Sequence, residues 1–207
     1  MTDQVTQKLR VDARENRDRV VEAARELFAE RGIDVTMRAI ARRAGVGPAT
    51  LYRRFPAKQQ LVDEAFADEM RACRGIVEEG CDDLDPWRGF CSIIERITVL
   101  NARNQGFVDA FLAADPEVDG LAAHRRLLLG QLAELAERAQ RSGGLRRDFV
   151  IEDLLVVLLT GRALSATPRQ DRESTARRFA ALAIDAFRAS ADHGELPSAG
   201  LTRRRAG

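Results

Sequence analysis

Along most of this chain apolar residues recur every three or four positions, the spacing of a single helix face. Val20, Val21, Ala24, Leu27 and Phe28 form one such face, which ends at Gly32. Thr36 is placed to cap a short helix over residues 37–44, and a second short helix is predicted from Pro48 to Phe55. A long helix follows from about Ala57 to Glu79, striped by Leu61, Ala65, Phe66, Met70, Cys73 and Val77, until the segment GCDDLDP interrupts it. Further helices are predicted over 86–102, 105–114, 119–141, 151–164 and 172–191, with turns at Ala-Asp-Pro, Ser-Gly-Gly and Ala-Thr-Pro. Sustained apolar/polar alternation and Asn-Gly or Asp-Gly hairpin turns are missing, and no internal repeat is present. The pattern predicts an all-α fold with disordered ends at residues 1–14 and 193–207.

Composition narrows the function. The 207 residues suit one ordinary domain, or a small domain attached to a larger one. A net charge of +1 gives no global attraction to a polyanion. The distribution is uneven, however. Residues 1–60 hold 13 Lys and Arg against 8 Asp and Glu, and the other 147 residues hold 20 against 24. Residues 35–58 carry six basic residues and no acidic one, interleaved with Ile40, Val46, Leu51 and Phe55, so the basic block belongs to folded structure. The N-terminal stretch lacks the apolar run of a signal peptide, and DLLVVLLTG is too short to span a bilayer. Three cysteines without a Cys-x-x-Cys pair suggest reduced thiols in a cytoplasm.

Residues 37–55 make sense together as a helix-turn-helix. Ala41 is small enough for a second helix to pack across it, Gly45 ends the first helix, and Val46 plugs the turn. Pro48 opens the next helix, where its missing N–H does no harm. Ile40, Ala44, Val46 and Leu51 supply the shared core, leaving Ala49, Thr50 and Arg53 outward with Tyr52 and Arg54 at the flanks. A short outward helix of this kind suits the DNA major groove, and a face that meets phosphate excludes carboxylates.

Over residues 16–66 the sequence resembles the tetracycline-repressor (TetR) family of bacterial transcription regulators. VVEAARELFAERG at 20–32 and TMRAIARRAGVGPATLYRRFPAKQQLV at 36–62 carry the resemblance. It implies a three-helix DNA-binding domain, here residues 15–56, followed by a larger helical domain, residues 57–192, that binds a small molecule and dimerises through its last two helices. It implies DNA contacts from Thr36 and Arg38, a groove-facing set of Pro48, Ala49, Thr50 and Arg53, and backbone contacts from Tyr52 and Lys58. Thr and Ala can touch a thymine methyl and Arg can bridge guanine O6 and N7, whereas Tyr52 and Lys58 fix position. The chain departs from the pattern at Gly47, where Ser is common, at Ala57, where Ser or Asn is common, and at Ala39, which leaves Thr36 without a capping-box partner.

The larger domain is less explicit. Trp87, Phe90 and Ile94 share a face, and Phe107 and Phe111 lie one turn apart. Each is ordinary core taken singly; as a group with Met70, His124 and Leu128 they also fit an apolar ligand cavity. His124 reads equally as a surface residue. Residues 150–164 are apolar almost all round and need cover on every side. With 172–191 they predict an intersubunit four-helix bundle using Leu154, Val157, Leu158, Phe179, Leu182, Ala183 and Phe187. The cysteines and His124 have no zinc-like spacing, no catalytic grouping or cofactor motif stands out, and no metal is expected. The expectation is therefore a cytoplasmic homodimeric repressor, not an enzyme, released from palindromic double-stranded operator DNA by a small apolar or amphipathic effector. The helix over 57–79 would act as a rigid lever. An activator, a thiol-based redox regulator and a helical protein-protein module remain alternatives.

Overall fold

The structure is a computed structural model that describes residues 2–113, 120–163, 168 and 170–197. Its regular elements among these residues are ten helices: α1 (Thr2–Arg31), α2 (Met37–Ala44), α3 (Pro48–Arg54), α4 (Lys58–Ala65), α5 (Ala67–Cys81), α6 (Pro86–Arg103), α7 (Gln105–Ala113), α8 (Gly120–Arg141), α9 (Glu152–Ala163) and α10 (Arg172–Phe187). The expected turn at Asp115, most of the Ala-Thr-Pro segment and residues 198–207 lie outside the described residues. The chain forms two compact units, Met1–Met70 with Gly106–Ala122, and Arg71–Gln105 with Ala123–Gly207.

In the first unit α1 buries Val20, Ala23, Ala24, Leu27 and Phe28, close to the face expected from periodicity. Met37, Ile40, Ala41 and Ala44 of α2, Leu51 and Phe55 around α3, and Leu61, Val62 and Ala65 of α4 complete its core. The helix starts at Thr2 rather than after a disordered arm, but residues 14–19 are largely exposed and burial begins at Val20. The helix expected over 57–79 is two helices. Phe66 ends α4 with φ −109° and ψ 14°, although its N–H still donates to the Val62 carbonyl at 3.1 Å and its carbonyl accepts from the Met70 N–H at 2.9 Å. The reason lies in packing: the Phe66 ring is fully buried, 5.8 Å from Phe28 and 5.7 Å from Phe107. Phe107 in turn sits 5.9 Å from Phe111. These rings draw α4 and α7 into the first unit, which therefore runs past the expected boundary at residue 56.

In the second unit α6 packs along α10, and α9 lies against both. Phe90, Phe149 and Phe187 meet edge to face, with centroids 5.4, 5.1 and 6.3 Å apart. Trp87 stacks on Phe90 at 5.9 Å, and the Arg188 guanidinium lies 5.4 Å over the indole. Arg146 of the GGLRRD segment pairs with Asp148 and donates to the carbonyls of Ala186 at 3.1 Å and Gly194 at 2.7 Å. Asp148 also accepts from the Leu196 N–H at 2.8 Å, so the chain just past residue 193, expected to be disordered, is tied to this segment. α5 and α6 approach backbone to backbone: a Cβ on Gly89 would stand 2.1 Å from the Gly80 carbonyl oxygen.

That contact cannot be relieved by a side-chain rotation. Gly89→Ala should force α5 and α6 apart and cost about 1–3 kcal/mol. The check is a thermal melt, in which an unchanged midpoint would show that the approach is not needed.

Candidate nucleic-acid interface

The helix-turn-helix is built by local rules. The Thr36 hydroxyl oxygen accepts from the Ala39 N–H at 3.2 Å and caps α2. At the other end Gly45 takes φ 68°, ψ 29°, its N–H donates to the Arg42 carbonyl at 3.3 Å, and the Val46 N–H donates to the Ala41 carbonyl at 3.0 Å. This pair of bonds is a Schellman closure, which also brings Val46 back toward Ala41. The chain then extends through Gly47, and Pro48 starts α3 without any side-chain cap. Leu51 and Phe55 anchor α3 from beneath and are almost fully buried.

The outward residues then follow. Pro48, Ala49, Arg53 and Arg54 are exposed, Tyr52 is 48% exposed, and Thr50 is half-buried. Arg38 and Arg42 on α2 are exposed, and half-buried Lys58 opens α4. The structure thus places every residue expected to touch DNA on α2, α3 or their two flanks. One basic residue of the block behaves differently. Arg43 is held by Glu26 at 2.8 Å and Glu30 at 2.9 Å, both on α1. Hydrogen bonding to Glu30, then Glu26, raises the guanidinium pKa further, and Arg43 in turn lowers that of the Glu30 carboxyl. Its charge is matched within the protein. The spacing of Glu26 and Glu30, one turn apart on α1, was the available signal for this, because a single arginine can reach both.

The residues expected to line a ligand cavity divide between the units. Phe107 and Phe111 belong to the Phe28–Phe66 cluster, and half-buried Met70 closes the first stretch of that unit. Trp87, Phe90 and Ile94 belong to the second unit, as do His124 and Leu128 on α8. His124 is not on the surface: it is 6% exposed, and neither ring nitrogen has a hydrogen-bond partner. Burial, and then the charge of Arg74, lower its pKa from 6.5, so it is neutral at pH 7. Of the residues expected between subunits, Leu154 and Phe187 are buried within their own unit, Val157, Leu158, Phe179 and Ala183 are half-buried, and Leu182 is 62% exposed. Val156, also exposed, escaped the sequence reading because a helix apolar all round does not say which side faces out.

The thiols offer little reactivity. Cys73 is buried, and burial raises the pKa of Cys81 and pushes that of Cys91 up to about 11, so both stay protonated at neutral pH. Among the described residues no group of three His, Cys, Asp or Glu is arranged to hold a metal, and no helix is long and apolar enough to cross a membrane.

Two family models match the chain. Residues 20–65 match bacterial regulatory proteins of the tetR family, and residues 85–189 match the transcriptional regulator SbtR-like C-terminal domain. The chain belongs to the TetR family. The helix-turn-helix is thus that of a transcriptional regulator, not a packing motif of an enzyme. A TetR transcriptional regulator from Streptomyces coelicolor is 30% identical, with 84% of this chain and 99% of that one covered and a TM-score of 0.51. The ketosteroid regulator KstR2 of Mycobacterium tuberculosis, 19% identical over 83% of this chain and 94% of its own, has a TM-score of 0.59 and shows the same fold. So does FadR of Bacillus subtilis in complex with stearoyl-CoA, at 17% identity, 80% and 96% coverage and a TM-score of 0.57. An HTH-type transcriptional regulator of Staphylococcus aureus is 46% identical over 54 residues, which is 26% of this chain and 29% of that relative's length.

The caps of this TetR-family helix pair are unequal, and that is measurable. Thr36→Ala should cost about 0.5–2 kcal/mol through the lost bond to Ala39. Gly47 has φ −67° and ψ 144°, open to any residue, so Gly47→Ser should stabilise by a few tenths of a kcal/mol. Denaturant titrations read both signs; a neutral Thr36→Ala would show that the cap is idle.

Proposed function

We propose that this regulator is a cytoplasmic repressor that binds palindromic operator DNA as a homodimer and leaves it when a small apolar or amphipathic effector binds. The observation that carries the reading is the acid-free outward surface from Thr36 to Lys58, held in place by a buried Leu51–Phe55 anchor. Pro48, Ala49, Thr50 and Arg53 read bases, with Arg53 suited to guanine and Thr50 and Ala49 to a thymine methyl. Thr36, Arg38, Tyr52 and Lys58 position the protein on phosphates. Two-fold symmetry makes the half-sites a palindrome about one helical turn apart or somewhat more.

The apolar surface of the last two helices supports the dimer. Leu182 and Val156 are exposed, and half-buried Phe179 and Ala183 lie on the same helix as Leu182. A second copy would cover them in a four-helix arrangement. For the effector, stearoyl-CoA in the Bacillus subtilis relative of this fold supports an apolar or amphipathic molecule. A coupling of about 1–3 kcal/mol would change DNA affinity some 5–150-fold. The lever expected over 57–79 has a joint at Phe66, where α4 ends and α5 begins one residue later.

Selection of bound fragments from random DNA by the purified protein yields the operator, and on it the roles separate. Lys58→Ala should weaken all sites alike and lower the salt slope by about one. Arg53→Ala should relax discrimination at one base pair by about 1–3 kcal/mol. Arg43→Gln should leave the slope nearly unchanged, since that charge is already matched. Enrichment of no sequence at all would sink the regulator reading.

Leu182→Asp tests the dimer. Leu182 is outside the core of its own unit, so the variant should fold, yet it would bury an unpaired carboxylate between subunits. Light scattering should report monomers; an unchanged dimer mass would refute the interface.

A further inference from the structure

α2 packs against α1, and the end of α2 that leads into the turn is buried only through small side chains. Its buried residues are Met37, Ile40, Ala41 and Ala44, so the last turn offers two methyl groups. Small side chains make shallow ridges, which leave the roll of one helix on another weakly fixed. A second tie stands at the same place. Arg43 Nη1 donates to Glu26 Oε2 at 2.8 Å and to Glu30 Oε1 at 3.3 Å, and Nη2 donates to Glu30 Oε2 at 2.9 Å. Among the described residues these are the side-chain hydrogen bonds that join α1 to α2. The guanidinium forks onto Glu30 and shares one arm with Glu26, the arrangement in which an exposed ion pair does hold a geometry.

Arg43 stands two residues before Gly45, and only Gly45, Val46 and Gly47 separate α2 from the seven-residue α3. A roll of α2 therefore carries α3 with it, and recognition needs side chains held to within about 0.5 Å. We infer that Arg43 is a positioning residue for base reading: clamped to Glu26 and Glu30, it fixes the roll of α2 on α1 and thereby the aim of α3, without touching DNA. This rests on the groove-facing reading of α3 above and adds to it a residue outside the groove. Contact and positioning leave different signatures. Loss of a phosphate contact lowers the salt slope by about one and weakens all duplexes alike. Loss of aim spares the slope and lowers the operator's advantage over other DNA.

The test uses the full-length protein, the operator selected from random DNA and an unrelated duplex of equal length. Arg43→Gln should cut the ratio of operator to unrelated affinity by about 3–10-fold, with the salt slope within about half a unit of wild type. Glu26→Gln with Glu30→Gln should lower the ratio equally. Removing two acids tightens both duplexes alike, so the ratio isolates the aim. Arg43→Glu with Glu30→Arg keeps the net charge and rebuilds the clamp in reverse, and should restore most of the ratio. Each variant should melt within about 4 °C of wild type, because exposed ion pairs add little to folding. An unchanged ratio in both clamp-breaking variants, a slope lowered by about one in Arg43→Gln, or no recovery in the reversed pair would overturn the inference. If Arg43→Gln fails to fold, the glutamine pair decides. Arg53→Ala on the same DNA separates the two readings. If it leaves the ratio intact, the groove-facing reading fails; if it lowers the ratio while the clamp variants do not, this inference alone fails.

Discussion

The left-handed residue between α2 and α3 is the constraint on which the outward surface depends. With φ 68° at Gly45, the N–H groups of Gly45 and Val46 turn back onto the last carbonyls of α2. The chain leaves α2 in one direction only, and three residues later Pro48 restarts the helix. An L-residue with a Cβ would resist this backbone. If the turn relaxed, Leu51 and Phe55 would leave the core, and the row from Pro48 to Arg53 would lose its aim. Specificity at that surface is a matter of where a few side chains stand on a short helix, so it inherits the precision of this turn.

The stability of the rest lies in packed rings more than in charges. Most ion pairs among the described residues are solvent-exposed, such as those of Arg43, Arg88 with Asp83, and Arg96 with Glu79. Exposed pairs contribute about 0–1 kcal/mol each. Aromatic contacts add about 0.5–1.5 kcal/mol beyond the burial of their surface. Phe28, Phe66 and Phe107 link three helices of the first unit, and Phe90, Phe149 and Phe187 join α6, the 142–149 segment and α10 in the second. The pairs mostly orient side chains, as when two glutamates hold Arg43 on the flank of α1.

Much of this was legible in the sequence. Local signals carried the helix-turn-helix: a cap at Thr36, a glycine where φ turns positive, a proline at the first helical position. Helix limits elsewhere were nearly as clear, with α6, α9 and α10 close to their expected spans. What periodicity cannot express is choice of partner. Phe66 sits in phase with Leu61 and Met70, and nothing local says that its ring inserts between Phe28 and Phe107 and interrupts the helix. Phe107 and Trp87 look alike as apolar helix residues, yet they serve different cores. Arg43 resembles Arg42 until the position of Glu30 across the α1–α2 contact is known. His124 looked like surface because a lone histidine amid Arg125 and Arg126 gives no sign that its ring turns inward.

The first unit is not continuous along the chain: residues 1–70 are completed by 106–122. This has a consequence for how the protein is made. At about 5–20 residues per second, the segment bearing Phe107 and Phe111 leaves the ribosome roughly 2–10 s after Met70. Throughout that interval Phe66 has the Phe28 ring beside it but not that of Phe107, while α2 and α3 already present a basic outer face. The nascent chain thus carries an apolar face and a polyanion-binding face before its core is closed. A fragment cut at residue 70 would stay permanently in that state, which makes such a fragment a poor stand-in for the whole regulator.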